Sequence, residues 1–235
     1  MLQKLKLSLR RWVNRLPESG EKRFMKTLSF RVFVAFIMVC FALILFAAVA
    51  NELREPSTQQ QDSAVLMVIH NLTHTRFLDE AIPVLTNLGG TIGIAAITTV
   101  SVIMFVFKKQ YNQALLVGCG VGGAVVIDLI LKSLFGRIRP DLWDRLIIEN
   151  GYSFPSGHAM ASSALAFSLI AALWYTKWRR PSIIFGGLYI LFIGFTRLYL
   201  GVHYVSDVVG GWLMSLAWVG ILFVLMNAHV STKNT

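Results

Sequence analysis

Three groups of polar residues interrupt a chain that is otherwise apolar, and their side chains are those of phosphate chemistry. The first is Lys132-x6-Arg139-Pro140, the second Pro155-Ser156-Gly157-His158, and the third Arg197-x5-His203-x3-Asp207. Lys132, Arg139 and Arg197 supply three positive charges. The planar fork of arginine matches phosphate oxygens in pairs, and lysine adds a point charge. Gly157 lets backbone N–H groups approach an oxyanion, and Ser156 adds a hydroxyl donor. Pro155 suits the start of a helix, whose free N–H groups and positive dipole end favour an anion. His203 and Asp207 stand four residues apart. There the carboxylate can accept a hydrogen bond from one ring nitrogen, fixing the tautomer and freeing the other nitrogen to attack phosphorus. The aspartate of a serine-protease triad orients its histidine in the same way. His158 is the matching acid and base, protonating the departing oxygen and later activating water. The three cations suffice to stabilise the equatorial oxygens, so the expected chemistry needs no metal and no other cofactor.

Each piece alone is commonplace. A single arginine at a membrane boundary is ordinarily a snorkelling anchor, a single histidine is merely hydrogen-bonded, and Pro-Ser-Gly-His is a fair turn. Their conjunction is not commonplace, because ionisable groups at membrane depth are expensive and mark functional sites.

The elements that must position these groups are membrane helices. Of 235 residues, 55% are hydrophobic and 14% charged, against about 25% charged in soluble domains, and the mean hydropathy is +0.63. A bilayer core takes about 20 apolar residues per helix. Six segments approach that length: Val32–Ala50, Pro83–Phe107, Ala114–Leu134, Ala159–Tyr175, Ile183–Leu200 and Val205–Met226. The expected fold is therefore all-α, a polytopic membrane protein of six transmembrane helices. Residues 1–29 form a basic amphipathic segment, 30–228 the membrane domain carrying the motifs at 132–207, and 229–235 a tail. Spans three to six hold the chemistry.

Lys and Arg set the orientation. Fourteen fall in the first 26 residues, at Lys108 and Lys109, at Lys177, Arg179 and Arg180, and at Lys233. Seven fall on the other side, and three of those belong to the motifs. Both termini are expected in the cytoplasm, with loops 51–82, 135–158 and 201–204 outside, on the periplasmic or exterior face of a cell membrane. The net charge of +10 flanks apolar runs, which favours anionic lipid headgroups over nucleic acid as partners. Leu2, Leu5, Leu9, Trp12 and Leu16, interleaved with Lys6, Arg10 and Arg11, form a short basic amphipathic helix that fixes topology at the inner leaflet. Ala48-Val49-Ala50 resembles a signal-peptidase site, but the basic region before it and the apolar run are both too long, so the first span is expected to be retained.

The three motifs resemble the signature of the type 2 phosphatidic acid phosphatase superfamily, which also contains vanadium haloperoxidases: K-x6-R-P, P-S-G-H and S-R-x5-H-x3-D. The signature covers residues 132–207, and the helical layout extends the resemblance to about 30–228. One departure is Thr196, where the family usually has serine, and no phosphate contact is assigned there. The resemblance implies phosphate contacts from Lys132, Arg139, Ser156, Gly157 and Arg197, with His158 as acid and base, His203 as nucleophile and Asp207 as its partner. The haloperoxidase branch is soluble, which six spans oppose. Membrane members act on phosphatidate, phosphatidylglycerol phosphate, isoprenyl pyrophosphates or lipid A. The expected activity is thus a metal-independent lipid phosphatase, with undecaprenyl pyrophosphate, phosphatidylglycerol phosphate or phosphatidate as substrate. The alternatives are a lipid phosphotransferase with the same nucleophile and a lipid-binding protein without turnover.

Other residues have plainer readings. Cys40 and Cys119 lie in apolar stretches with no metal spacing. His70 and His74 lack a third ligand and read as interfacial histidines on one or two short helices over Ala64–Ile82. Asn71-Leu72-Thr73 is a sequon, of consequence only in a eukaryote. Gly118-x3-Gly122 reads as a helix-packing face, and Gly186-Gly187 and Gly210-Gly211 likewise. Asp128, one turn before Lys132, is expected to pair with Lys132 or Arg137. Trp143 and Tyr152 read as interfacial aromatics.

Overall fold

The computed structural model describes residues 18–231, and the side chains of 18–29, 31, 56 and 228–231 are not considered. The amphipathic pattern of residues 2–16 lies outside the described residues. Among the described residues eight α-helices follow one another: α1 (Glu18–Glu52), α2 (Pro56–Thr73), α3 (Arg76–Leu85), α4 (Thr91–Phe107), α5 (Tyr111–Phe135), α6 (Gly157–Leu173), α7 (Arg179–Tyr199) and α8 (Val205–Ser231). A 3₁₀ turn, Thr86–Gly89, joins α3 to α4. There is no strand among the described residues.

Among the described residues four stretches are long and apolar enough to cross a membrane: Val32–Glu52, Tyr111–Phe135, Arg179–Tyr199 and Val205–Asn227. A fifth crossing is available if the pair Arg76–Gly89 and Thr91–Phe107, bent by 44°, counts as one broken span. The straight helix expected from Pro83 to Phe107 is thus interrupted. Helix α3 runs through Pro83 to Leu85, so the break comes after it, at the 3₁₀ turn and Gly90. Gly90 is extended, at φ −77° and ψ 172°, which restarts the chain in a new direction. The fourth expected segment forms α6, apolar but only 17 residues long. At 1.5 Å per residue it measures about 26 Å, short of a ~30 Å hydrocarbon core.

Helix α6 is the hub of the bundle. It packs against α4, α5, α7 and α8, while α1 lies along α8. Its composition explains the position: Ala159, Ser162, Ser163, Ala164, Ala166 and Ser168 are all buried, and small residues are what let membrane helices approach closely. Two of the hydroxyls bond within the helix, Ser163 to the Ala159 carbonyl at 2.6 Å and Ser162 to the same carbonyl at 3.2 Å. Large apolar side chains point outward instead, as Phe33, Phe41 and Ile44 do on α1, because lipid tails solvate them as well as protein does.

The glycine face of α5 differs from the one the spacing suggested. A Cβ at Gly122 would meet nothing, and one at Gly118 only Val102 at an ordinary 3.8 Å. The close approaches are at Gly120, where an added Cβ would overlap Ser168 Oγ, and at Gly123, where it would overlap the Trp218 ring. Residues 118 and 122 share a stripe, but α6 and α8 lie against the neighbouring one. Gly210 and Gly211 do pack closely, against Phe154 and against the Ser156 carbonyl, which brings the start of α8 onto the start of α6.

Gly123→Val should lower the thermal midpoint in detergent by an amount equivalent to about 1–3 kcal/mol, the usual range for forced overpacking. Gly122→Val should leave it within about 0.5 kcal/mol, as surface changes do. A fluorescence-detected melt of both variants checks the pair.

Candidate active site

The ends of α5 and α7, the starts of α6 and α8, and the loops 136–156 and 200–204 meet at one end of the bundle. All eight residues singled out in the motifs lie there. Helix α5 ends at Gly136 in the left-handed region, φ 59°, which turns the chain sharply and sets Lys132 in the last turn. Lys132 Nζ lies 2.8 Å from Asp128 Oδ2, so of the two partners open to Asp128 the structure selects Lys132. Gly157 opens α6 beside this pair. A Cβ there would stand 2.9 Å from Lys132 Nζ and 3.0 Å from Asp128 Oδ2, so a side chain at this position would push the ammonium back from the helix start.

Ser156 is the residue before that helix and makes no side-chain capping bond. Its hydroxyl is buried and has no hydrogen-bond partner, while its N–H donates to the Asp207 carbonyl at 3.0 Å. The second and third motifs are therefore joined through backbone. His158, in the first turn of α6, lies within electrostatic reach of Arg197, Glu149, Lys132 and Arg139.

Arg197 is fully buried near the end of α7. Its Nη1 donates to Thr86 Oγ1 at 2.9 Å, its Nη2 donates to Glu149 Oε1, and its Nε has no partner. Arg139 donates to the Val202 carbonyl at 2.9 Å and to the carbonyls of Gly151 and Asn150 at 3.1 and 3.2 Å. Its Nη1 also lies 3.0 Å from His203 Nε2 and 3.1 Å from Glu149 Oε2. A guanidinium can only donate, so Nε2 is the acceptor and the His203 proton sits on Nδ1. That nitrogen is 3.4 Å from Asp207 Oδ2 with no closer partner, a separation that catalytic contacts in unliganded sites often show. That tautomer carries its lone pair on Nε2.

Burial is the main cause holding the His203 imidazole well below its ordinary 6.5, with Arg197 and Arg139 adding to it and Glu149 opposing. Since its proton affinity falls on folding, His203 favours the folded state fully above about pH 6.5, and that contribution is lost as the pH falls and the unfolded chain takes up the proton.

Glu149 is the residue the motif reading missed. Its carboxylate joins Arg139 and Arg197 and comes within 3.8 Å of His203 Nε2. Burial would raise its pKa, but Arg197, then His203, His158 and Arg139, outweigh that and hold it at about 2. It is ionised throughout the physiological range and balances the two arginines internally. Nothing in the isolated stretch Ile148-Glu149-Asn150 signals this; only a count of buried cations without an acid nearby would have. Thr86, from the turn before α4, was also missed. It contacts both Arg197 and Thr196 Oγ1, the latter at 3.0 Å. Thr196 in turn donates to the Ile193 carbonyl at 2.7 Å, so its hydroxyl is engaged within the helix bundle. Trp143 stacks on His70 at 4.1 Å between centroids and lies against Gly201. His70 also stacks on His74 at 4.8 Å, and His74 meets Asp79 at 3.3 Å.

The arrangement can bind a tetrahedral anion with cations on several sides, attack it with a neutral imidazole, and stabilise the charge that develops. Comparison with known proteins agrees with that chemistry. The family model of the PAP2 superfamily matches residues 113–231. A phosphatidylglycerophosphatase B of Bacillus subtilis is 29% identical over 182 residues, 75% of this chain and 86% of that protein. An undecaprenyl-diphosphatase of Sulfolobus acidocaldarius is 28% identical over 130 residues, 53% of this chain and 60% of that protein. The crystal structure of a transmembrane PAP2-type phosphatidylglycerolphosphate phosphatase from Bacillus subtilis superposes with a TM-score of 0.70 at 25% identity, over 84% of this chain and 97% of that one.

Two outcomes are expected. In ¹⁵N-histidine spectra in detergent, the resonance absent from His203→Gln should remain that of a neutral imidazole from about pH 7 to about pH 5.5, where an unperturbed histidine is mostly charged. Glu149→Gln should destabilise the protein by about 3 kcal/mol, because it leaves buried arginines uncompensated. Inorganic phosphate should restore the melting temperature of that variant, and calorimetry should find it bound about tenfold more tightly than by the unmodified protein, the effect of about 1.4 kcal/mol less competition.

Proposed function

The chain belongs to the PAP2 superfamily, and from that membership we propose that it is a membrane hydrolase that removes phosphate from a lipid through a phosphohistidine intermediate. The observation carrying the reading is the gathering of Arg139, Arg197 and Lys132 around a His203 whose Nε2 is the unprotonated nitrogen. The names of the relatives, a phosphatidylglycerophosphatase and an undecaprenyl-diphosphatase, support a lipid phosphomonoester or pyrophosphate as substrate.

In the proposed first step the substrate phosphate displaces the Glu149 carboxylate and takes its oxygens to Arg139, Arg197, Lys132, the Ser156 hydroxyl and the N–H groups at Gly157. The Nε2 lone pair of His203 forms a bond to phosphorus, and the bond to the lipid oxygen breaks with its electron pair leaving on that oxygen. His158 donates the proton that makes the lipid alcohol or monophosphate. Asp207 holds the Nδ1 proton while positive charge grows on the ring. In the second step water attacks phosphorus, His158 takes its proton, and the P–N bond breaks to return neutral His203 and free phosphate. The three cations do the electrostatic work throughout, with no metal in the scheme.

For the membrane arrangement we propose six crossings, counting the bent pair and the short α6, with both termini cytoplasmic and the site facing the exterior. The distribution of Lys and Arg supports that orientation. Residues 30–228 would be the membrane domain, with 1–29 and 229–235 cytoplasmic. A short α6 suits a site recessed at the outer edge of the bilayer, where the headgroup reaches the cations while its tails stay in the leaflet.

Phosphate release should be measured in detergent from phosphatidylglycerol phosphate, undecaprenyl pyrophosphate, phosphatidate and lipid A. Release from at least one lipid should survive EDTA and fall by about 10³-fold or more in His203→Ala, as loss of a nucleophile does. Denatured quenches should carry acid-labile, base-stable phosphate. Release that appears only with an added acceptor lipid would instead identify a phosphotransferase.

A further inference from the structure

The catalytic aspartate does not end the chain of contacts that begins at His203. Asp207 is fully buried. Its Oδ2 accepts from the Tyr204 N–H at 2.8 Å, and its Oδ1 accepts from Arg137 Nη1 at 2.5 Å. The same guanidinium reaches across to α2, where its Nη2 donates to Asp62 Oδ2 at 2.7 Å. Arg137 Nη1 also donates to Ser206 Oγ at 2.7 Å. Ser206 is tied to Asp62 twice, through its hydroxyl and through its N–H at 3.3 Å. The face of Arg137 lies on the Tyr204 ring, 4.2 Å from its centroid. Both Arg137 and Asp62 are buried, with side chains 12% and 10% exposed.

We propose that Asp62 is a positioning residue for the nucleophile, acting on His203 through Arg137 and Asp207. The inference rests on the reading of His203 as nucleophile and Asp207 as its partner. It makes α2, which lies outside the stretch 113–231 matched by the family model, part of the catalytic apparatus.

The physical reasoning has two steps. A buried carboxylate facing one dedicated arginine is neutralised by it, and its attraction for the His203 Nδ1 proton falls accordingly. Sharing Arg137 between two carboxylates leaves Asp207 with negative charge to direct at the imidazole. The second step is geometric. A guanidinium presents its donors in a rigid plane, so Asp62 on one edge and the Tyr204 ring against its face fix where the other edge meets Asp207. Asp207 must be held well, because its contact with Nδ1 is already long at 3.4 Å and a small further shift would lose it.

Asp62→Asn keeps the shape and removes the charge. With the lipid of the panel above that is hydrolysed fastest, kcat should fall by about tenfold or more with KM within about twofold, the pattern of an interaction that matters in the transition state alone. Asp62→Glu should retain more of kcat than Asp62→Asn. The His203 ring resonances should shift in Asp62→Asn, and Asp62→Asn/Asp207→Asn should be no slower than Asp207→Asn, because residues acting in one chain are not additive. A folded Asp62→Asn with unchanged kcat, a loss confined to KM, or a full additive loss in the double variant would each overturn the proposal. Should Asp62→Asn fail to fold, Ser206→Ala removes the hydroxyl lodged between Asp62 and Arg137 and leaves both charges in place. A kcat lower by about threefold or more at constant KM then supports the assignment, and an unchanged kcat overturns it. The controls separate this idea from its premise: if His203→Ala and Asp207→Asn abolish turnover while the Asp62 variants do not alter it, only the role of Asp62 fails.

Discussion

A buried cation must have an anion beside it, and at one end of this bundle four cations are gathered where little water can solvate them. Each has been given a carboxylate: Lys132 has Asp128, Arg137 has Asp62 and Asp207, and Arg139 and Arg197 share Glu149. Such pairs contribute little to stability on balance, yet removing one member is expensive. The carboxylates come from α2, α5, α8 and the loop 136–156, so compensating the charges ties those separate elements to one place. The helices are arranged around that requirement. Helix α5 must end where Lys132 can reach the start of α6, α7 must carry Arg197 to the same depth, and α8 must begin beside both.

The carboxylates differ in how they are held, and the difference bears on function. Asp128 and Asp207 sit on the same helices as the groups they serve or one turn from them. Glu149 comes from the loop after α5 and, among the described residues, is the acid that contacts both Arg139 and Arg197 and approaches His203 Nε2. A lipid phosphate would offer the same arginines a similar charge on a similar set of oxygens. Glu149 therefore keeps the cations compensated until a substrate arrives, and binding becomes an exchange of one anion for another rather than the burial of a new charge. Arg139 beside Nε2 fits the same picture. Its Nη1 fixes the tautomer of His203, and under the proposed mechanism those donors turn to the phosphate before attack.

Much of this was legible in the sequence because the responsible spacings are local. Lys132 and Arg139, His203 and Asp207, and Asp128 and Lys132 are each seven residues apart or fewer, so residue type and spacing alone point to them. The helices could be read from composition because apolar length is what a bilayer demands. What could not be read depends on contacts across the bundle. Glu149 and Asp62 are ordinary acids in ordinary local sequence, and only the fold sets them 48 and 75 residues away against Arg197 and Arg137. The choice between glycine stripes on α5 depends on which side α6 and α8 take, and a spacing of four cannot encode that. The interruption before α4 was partly visible in the Gly89-Gly90 pair, yet apolar length alone merged it into one span.

That interruption has a purpose in the geometry. A straight helix through residues 83–107 would carry its residues past the site at the regular rise of the helix. Breaking it leaves the 3₁₀ turn Thr86–Gly89 against α6 and α7, with Thr86 Oγ1 on Arg197 and Gly90 so near His158 that a Cβ would stand 3.3 Å from Nε2. Non-helical backbone at membrane depth is tolerated only where protein or a polar cavity satisfies it, and here it is enclosed by the same groups it helps to position. The break and the short α6 are therefore one feature: both remove regular helix from the end of the bundle that holds the site, making room for a charged headgroup where a complete span would have left only apolar side chains.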